Sequence, residues 1–134
     1  IINRHGAYKI PDIKRTLKNN GMFITQQVGG LNGIDINMAL GTKTMDSVEW
    51  CLIKNIEMVK DVGMKIAACG EHIGKMKFND IGAVVYYLKC IPWQVKDFNI
   101  DKYYKKLEIM NEIIEKEGDI KFILHRFYMI IEKA

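Results

Sequence analysis

The chain has 134 residues, which at about 150 residues per domain predicts a single domain over residues 1–134. Hydrophobic residues make up 49% and charged residues 27% of the sequence, a composition that excludes a coiled coil, a collagen and a disordered tail. The net charge of +4 is spread over both halves, which argues against nucleic-acid partners, and no apolar run approaches the roughly 18 residues of a membrane span.

The cysteines and the chain start bear on cellular location and completeness. Cys51, Cys69 and Cys90 lie too far apart for a disulfide framework or a closely spaced zinc pair, and the sequence has no secretion or lipidation signal. We therefore expect a cytoplasmic protein. The chain opens with Ile1 and Ile2 rather than Met, and two apolar residues at a terminus predict that an N-terminal segment has been lost or left out.

The first part of the chain predicts alternating strands and short helices. Residues 1–3 have the apolar character of the end of a buried strand, and Pro11 opens a short helix that stops at the turn 19–21. Residues 22–28 are rich in β-formers and bounded by glycines, which predicts a strand followed by a glycine turn. A short helix is expected over residues 35–40.

A longer helix and a second full strand follow. The helix is predicted to begin near Asp46, because Asp46 and Glu49 have the spacing of a capping box, and to end at Gly63. Residues 64–71 alternate between larger and smaller apolar side chains, which predicts a strand.

The last part predicts two helices and a final strand. Residues 81–90 form an apolar helix with Asp80 as its N-cap. A helix from Asp101 to Gly118 carries one apolar stripe, and residues 120–133 are rich in β-formers. Strands separated by helices predict a three-layer α/β sheet. Only about three full strands are available, so one long hydrophobic edge needs another strand.

Several standard sites are absent from the sequence. It has no phosphate loop, no dinucleotide-binding glycine motif, no HExxH pair and no GxSxG elbow, and its three histidines are far apart, so we expect no metal. The glycines Gly29, Gly30 and Gly33 are consistent either with a turn or with a loop that binds a ligand through backbone amides.

Polar residues at strand ends are better candidates, because open α/β sheets bind ligands beyond the carboxyl ends of their strands. Two groups qualify: Asn3, Arg4, His5 and Tyr8 after the first strand, and Gln26 and Gln27 at the end of the second. Both groups are also consistent with loop residues that only satisfy backbone groups. An aromatic cluster around the 81–90 helix is consistent with a core or a pocket; it contains Phe78, Tyr86, Tyr87 and Trp93.

Four stretches, at residues 2–5, 15–23, 25–30 and 78–94, resemble the C-terminal half of bacterial class I S-adenosylmethionine-dependent methyltransferases. Residues 2–5 are similar to the stretch after the fourth strand of that family, and residues 15–23 to the connection into its fifth strand. Residues 25–30 continue this similarity, and residues 78–94 resemble an insertion helix of the same group.

The resemblance implies a partial Rossmann-like methyltransferase sheet, strands four to seven with flanking helices. The family order is 3-2-1-4-5-7-6 with the seventh strand antiparallel, so residues 1–3, 22–28, 64–71 and 120–132 would be strands four, five, six and seven. The N-terminal half, which holds the adenosyl and ribose groups of S-adenosylmethionine, would precede Ile1. The fragment alone is then expected to be inactive.

The resemblance also implies roles for the candidate residues. Asn3 and His5 would line one wall of the cofactor cleft, and His5 is the candidate general base for methyl transfer to a small-molecule acceptor. The residues implied on the acceptor side are Asn3, Arg4, Tyr8, Gln26, Gln27, Asp80, Tyr86, Tyr87 and Trp93. This sequence departs from the group at Gly6, where a carboxylate is usual, and at Asn20, where the turn usually starts with proline and glycine.

A second hypothesis does not need an enzyme. The chain could be a truncated remnant that associates with itself or with another chain through its exposed sheet edge. RNA modification is disfavoured, because the charge forms no phosphate-binding face.

Overall fold

The computed structural model describes residues 1–133, which form an α/β fold with a mixed sheet. Within these residues there are four strands: β1 (Ile2–Arg4), β2 (Met22–Val28), β3 (Lys65–Phe78) and β4 (Ile120–Glu132). The same residues form five helices: α1 (Ile10–Thr16), α2 (Ile34–Leu40), α3 (Leu52–Asp61), α4 (Ile81–Cys90) and α5 (Ile100–Glu117).

The strand order in the sheet is β1-β2-β4-β3, so the last strand of the chain inserts beside β2. Strand β1 runs parallel to β2, with Ile2 opposite Ile24. Strand β4 runs antiparallel to β2 along its whole length, ending with Val28 opposite Arg126. The sheet is therefore mixed.

The chain divides into two compact units. The first unit contains residues 1–30, 49–73 and the end of the chain from His125, and the second contains residues 31–48 and 74–124. The expectation of one domain over residues 1–134 stays a prediction.

The first unit builds its core on one face of the sheet. Alternation along β2 turns Phe23 inward, where it packs with Phe127 and Met129 of β4. Ile10 of α1 and Val59 of α3 are fully buried in the same cluster. Helices α1 and α3 therefore cover this face of the first unit.

The opposite face of these strands, here called the open face, carries the residues that alternate with the core. Residues paired across strands point to the same side of a sheet. By register, the open face contains Ile2, Arg4, Met22, Ile24, Gln26, Val28, Arg126, Tyr128, Ile130 and Glu132. Ile2 is 83% exposed and Tyr128 is 45% exposed, so this face presents apolar side chains at the surface.

The second unit has its own hydrophobic core. Val84 and Leu88 of α4 are completely buried, and Leu107 and Met110 of α5 lie in the same cluster. The stripe predicted for the 101–118 helix is confirmed: Tyr103, Leu107, Met110 and Ile114 are all buried. Helices α2, α4 and α5 supply most of this core, together with the start of β4.

Most predicted elements are confirmed with small shifts of their ends. Strand β2 has the predicted bounds, and α4 follows its predicted N-cap, the Asp80 side chain, which accepts a hydrogen bond from the Ala83 N–H at 2.8 Å. Strand β3 is longer than predicted and continues through Phe78. No residue of β3 is fully buried, so the strand has only a weak hydrophobic pattern in the sequence.

The helix predicted from Asp46 is wrong in its start. Helix α3 begins at Leu52, and its first turn is capped by Glu71, whose Oε1 accepts from the Leu52 N–H at 3.1 Å. Glu49 binds the Lys54 ammonium instead, at 2.8 Å. A cap that comes from a residue 19 positions away leaves no local pattern near the helix start.

Helix α5 begins at Ile100, one residue before the predicted start at Asp101, and Asn99 is its N-cap. The Asn99 Oδ1 accepts from the Asp101 N–H at 2.8 Å and from the Lys102 N–H at 3.4 Å. The predicted end is confirmed: Gly118 takes a left-handed φ of 85°, and its N–H donates to the Ile114 carbonyl.

Substitutions at Asn99 and at Asp101 are expected to lower the stability of the protein by different amounts. Asn99→Ala should lower the free energy of unfolding by about 1 kcal/mol, because two backbone donors lose their acceptor. Asp101→Ala should cost less, since Asp101 interacts only with the helix dipole. Urea denaturation of both variants measures the difference. A larger loss for Asp101→Ala would contradict the assignment of Asn99 as the cap.

Candidate functional site

A buried polar network holds the ends of β1 and β2 together in the first unit. The Asn3 Oδ1 accepts from the Gln27 Nε2 at 2.8 Å and from the Thr25 hydroxyl at 3.1 Å. The Gln27 Nε2 also lies 2.9 Å from the Thr25 hydroxyl and 3.2 Å from the Gly6 carbonyl. Thr25 and Gln27 are both at least 95% buried. The network thus fixes where β1 ends and where the following loop starts.

Gly6 lies directly against this network. A Cβ at position 6 would stand 2.8 Å from the Asn3 Nδ2, closer than side chains normally approach. The carboxylate expected here from the resemblance would therefore displace the Asn3 amide. The absence of a side chain at Gly6 and the present position of Asn3 depend on each other.

His5 marks the point where the strand pairing stops. Its N–H donates to the Gln26 carbonyl at 2.8 Å, and its φ of 58° turns the chain away from the sheet. Partial burial lowers the pKa of the His5 imidazole below its ordinary value of 6.5, and the charges of Arg126 and Arg4 lower it further. The ring is therefore mainly neutral at pH 7.

Tyr8 belongs to the core side of the first unit. Its hydroxyl donates to the Asn55 Oδ1 at 2.6 Å, and its ring meets Phe23 edge-on with centroids 5.2 Å apart. Burial raises the pKa of Tyr8 to about 12. Its hydroxyl is thus engaged inside the unit.

Arg4 and Gln26 lie on the open face instead. They are partners in the β1/β2 register, and both are exposed. Of the predicted residues in this unit, the structure therefore brings Asn3 and Gln27 together inside the sheet, and Arg4 and Gln26 together outside it.

The remaining predicted residues belong to the second unit. Asp80 caps α4, Tyr86 is 70% exposed on that helix, and Trp93 is 69% exposed. Trp93 lines an open hollow of about 440 Å³ together with Lys43 and Lys96. The Tyr87 hydroxyl accepts from the Asn32 Nδ2 at 3.3 Å, and its ring packs edge-on against Phe78.

A second buried amide network stabilises this unit and was not predicted. The Gln94 Nε2 donates to the Asn37 Oδ1 at 2.6 Å and to the Gly33 carbonyl at 3.0 Å. The Asn37 Nδ2 donates in turn to the Gln94 carbonyl and to the Thr42 hydroxyl. Gly33 takes a left-handed φ of 67°, a backbone conformation that favours glycine. This accounts for the last of the glycines Gly29, Gly30 and Gly33.

A buried histidine in the first unit was also not predicted as a site. His125 is 1% exposed, and its Nε2 lies 2.9 Å from the Glu71 Oε1. A Cβ at Gly29 would lie 2.1 Å from the His125 ring, so only glycine fits there. The sequence signal that identifies it is a histidine in register with Phe127, Met129 and Ile131, the apolar inward positions of the same strand.

The Glu71 carboxylate is held in its ionised form by its partners. Its hydrogen bond with His125 lowers its pKa most, followed by the hydrogen bond from the Leu52 N–H, while partial burial opposes both. In the described part of the chain, no group of three or more His, Cys, Asp or Glu side chains could hold a metal ion. Helices long and apolar enough to cross a bilayer are likewise absent from residues 1–133.

Comparison with known proteins gives a structural likeness only. No protein-family model matches the chain, and no curated protein matches its sequence significantly. A candidate methyltransferase from Bacillus halodurans C-125 matches 99% of this chain with a TM-score of 0.58 and 11% identity. This chain spans 63% of the length of that protein. At this identity the likeness shows the fold, which is methyltransferase-like α/β.

A second solved structure is more distant. It is phospholethanolamine N-methyltransferase 2 of Haemonchus contortus, in complex with phosphomonomethylethanolamine and S-adenosylhomocysteine. It matches 99% of this chain and 33% of its own, with 11% identity and a TM-score of 0.42. A TM-score this low supports no inference about this chain.

The contact between Glu71 and His125 predicts a pH dependence of stability. Because the folded state lowers the pKa of Glu71, its stabilisation is present above about pH 4.5 and is lost as the pH falls through the lowered value. Glu71→Gln should therefore show a smaller loss of unfolding free energy on acidification than the wild type. Glu57→Gln, an exposed change on α3, is the control and should follow the wild type. Parallel acid curves for wild type and Glu71→Gln, measured by urea denaturation, would refute the contribution of this pair.

Proposed function

We propose that this chain is the C-terminal, substrate-side part of a bacterial, cytoplasmic S-adenosylmethionine-dependent methyltransferase that acts on a small molecule. The observation that carries the proposal is the strand order β1-β2-β4-β3. If β1 to β4 are strands four, five, six and seven, this is the order 4-5-7-6 implied by the resemblance. The parallel pairing of β1 with β2 and the antiparallel pairing of β4 with β2 agree with it.

The edge of the sheet supports the C-terminal assignment. Strand β1 has three residues and stands at the edge of the described sheet. An open groove of about 500 Å³ runs beside it, lined partly by Ile1, Ile2 and Phe23. An edge strand with exposed apolar side chains is suited to pairing with a further strand.

The carboxyl end of β1 fits one wall of a cofactor cleft. Bound S-adenosylmethionine would supply a methyl group carried on a positively charged sulfur. In the proposal, His5 lies on this wall, and Asn3 positions it, because the Asn3 Oδ1 is engaged with Thr25 and Gln27. The residues that grip the adenosyl and ribose groups would precede Ile1.

His5 has the properties of a general base. Its lowered pKa keeps the imidazole neutral at pH 7, so it can accept a proton from an acceptor oxygen or nitrogen as the new bond to carbon forms. Methyl transfer otherwise requires little more than in-line alignment of the acceptor atom.

The acceptor side combines residues with different tasks. Arg4 and Gln26, both exposed, would contact the acceptor, while Gln27 and Tyr8 hold the surrounding backbone and core. Tyr86 and Trp93, whose rings are exposed in the second unit, stay predictions of the resemblance and are not assigned to this site. Asp80 and Tyr87 support the helix that carries Tyr86.

The open face gives the second hypothesis its support. A non-enzymatic remnant would use the exposed β1 edge and the apolar side chains Ile2, Ile24 and Tyr128 to bind a second copy or another chain. The two hypotheses predict different lengths for the protein that the cell makes.

The mass of the native protein separates them. If the chain is the back half of an enzyme, its native form should exceed 15.5 kDa by about 10 kDa or more, and the upstream reading frame should encode a glycine-rich loop. The 134-residue chain alone should then bind no S-adenosylmethionine in calorimetry and should associate in light scattering. Micromolar binding by the chain alone would refute the placement of the cofactor-gripping residues before Ile1. A native mass near 15.5 kDa would refute the enzyme proposal.

Replacing His5 tests its role in the complete protein. His5→Gln should lower the rate of methyl transfer about 100-fold or more, because the acceptor proton has no base. His72→Gln, which changes an exposed histidine of β3, is the matched control. In the wild type the rate should fall as the pH drops through the lowered pKa of His5, below 6.5. An unchanged rate in His5→Gln would exclude His5 as the base.

A further inference from the structure

Two arginines converge on one end of the open face. Arg4 lies beside Gln26 in the register of β1 and β2, and Arg126 lies beside Val28 in the register of β2 and β4. Gln26 and Val28 are two residues apart, so both arginines lie on the same side of the sheet. They stand near the carboxyl ends of β1 and β2.

The spacing of the sheet brings their charged ends within reach of one ligand. Two strand spacings of about 4.8 Å and a two-residue offset of about 6.7 Å place the two Cα atoms about 12 Å apart. Arginine side chains are long enough for both guanidinium groups to approach one ligand held between the two strands. Arg126 is also anchored, because its Nη1 donates to the His125 carbonyl at 2.8 Å.

His5 interacts with the same end of the sheet. Its N–H donates to the carbonyl of Gln26, the register partner of Arg4, and both guanidinium charges act on its imidazole. On β1, β2 and β4, the other charged residue of the open face is Glu132, which lies at the far end of β4 and 3.9 Å from the Lys65 ammonium. The arginine end of the face is therefore electropositive.

We propose that Arg4 and Arg126 together bind an oxyanion of the methyl acceptor, either a carboxylate or a phosphate. Guanidinium groups present planar pairs of N–H donors that match both oxyanions, and nearby apolar side chains such as Ile24 strengthen the charge attraction. The inference depends on the proposed function, because only a methyltransferase has a methyl acceptor. An acceptor held in this way would lie next to His5, where its proton can be removed.

The oxyanion site can be tested on the 134-residue chain without cofactor. Inorganic phosphate and acetate are titrated separately while NMR follows the His5 imidazole. Binding of either anion should raise the pKa of His5, because the anion offsets the two guanidinium charges. Arg4→Gln and Arg126→Gln should each weaken anion binding about 10-fold or more. Arg15→Gln, an exposed change on α1, is the matched control and should bind as the wild type.

Comparison of the two anions identifies the class of acceptor. Tighter binding of phosphate supports a phosphorylated acceptor, and tighter binding of acetate supports a carboxylic acid. A His5 resonance that neither anion moves, or anion binding equal in Arg4→Gln and wild type, would overturn the inference.

Kinetics in the complete protein separate the acceptor from the cofactor, which also carries a carboxylate. Arg4→Gln and Arg126→Gln should raise the KM of the acceptor about 10-fold and leave that of S-adenosylmethionine unchanged. A raised KM for S-adenosylmethionine alone would overturn the acceptor assignment. If the complete protein binds the anion but transfers no methyl group, the proposed function is refuted. The oxyanion site would then remain, but its ligand would not be a methyl acceptor.

Discussion

The antiparallel pairing of β4 with β2 is the constraint on which the first unit depends. The pairing runs unbroken from Met22 opposite Glu132 to Val28 opposite Arg126. Because alternate residues point to opposite faces, it sends Phe127 and Met129 into the core and Arg126 and Tyr128 to the open face. A slip of one residue would exchange these two sets. The core and the electropositive end of the open face therefore depend on one register.

Two glycines in the first unit allow close approaches of side chains to the backbone. At Gly29 the His125 ring occupies the space of a side chain, and at Gly6 the Asn3 amide does so. Neither residue needs a positive φ, so their role is space and not backbone conformation. The sequence shows only that glycine follows each strand end. It cannot show which side chain from a distant element fills the space.

Local signals predicted the elements whose ends are locally determined. Strand β2 is bounded by glycines, and α4 carries its cap, Asp80, in the preceding position. The first turn of α3 is capped by Glu71, and the Asn3 side chain in the candidate site is held by Thr25. Each of these partners is distant in sequence from the residue that it binds. The same limit applies to His125 and Gln94, whose partners became known only from the fold. The sequence placed Asn3, Arg4 and His5 at one strand end, but it did not show that Asn3 and Arg4 lie on opposite faces of the sheet.

In the proposed function, the charges around His5 would connect acceptor binding to proton transfer. Without an anion, Arg4 and Arg126 favour the neutral imidazole, which is the form that can accept a proton. An oxyanion between the two guanidinium groups cancels much of their field, and the imidazole then becomes a stronger base. Basicity would thus rise when the acceptor is bound and not before.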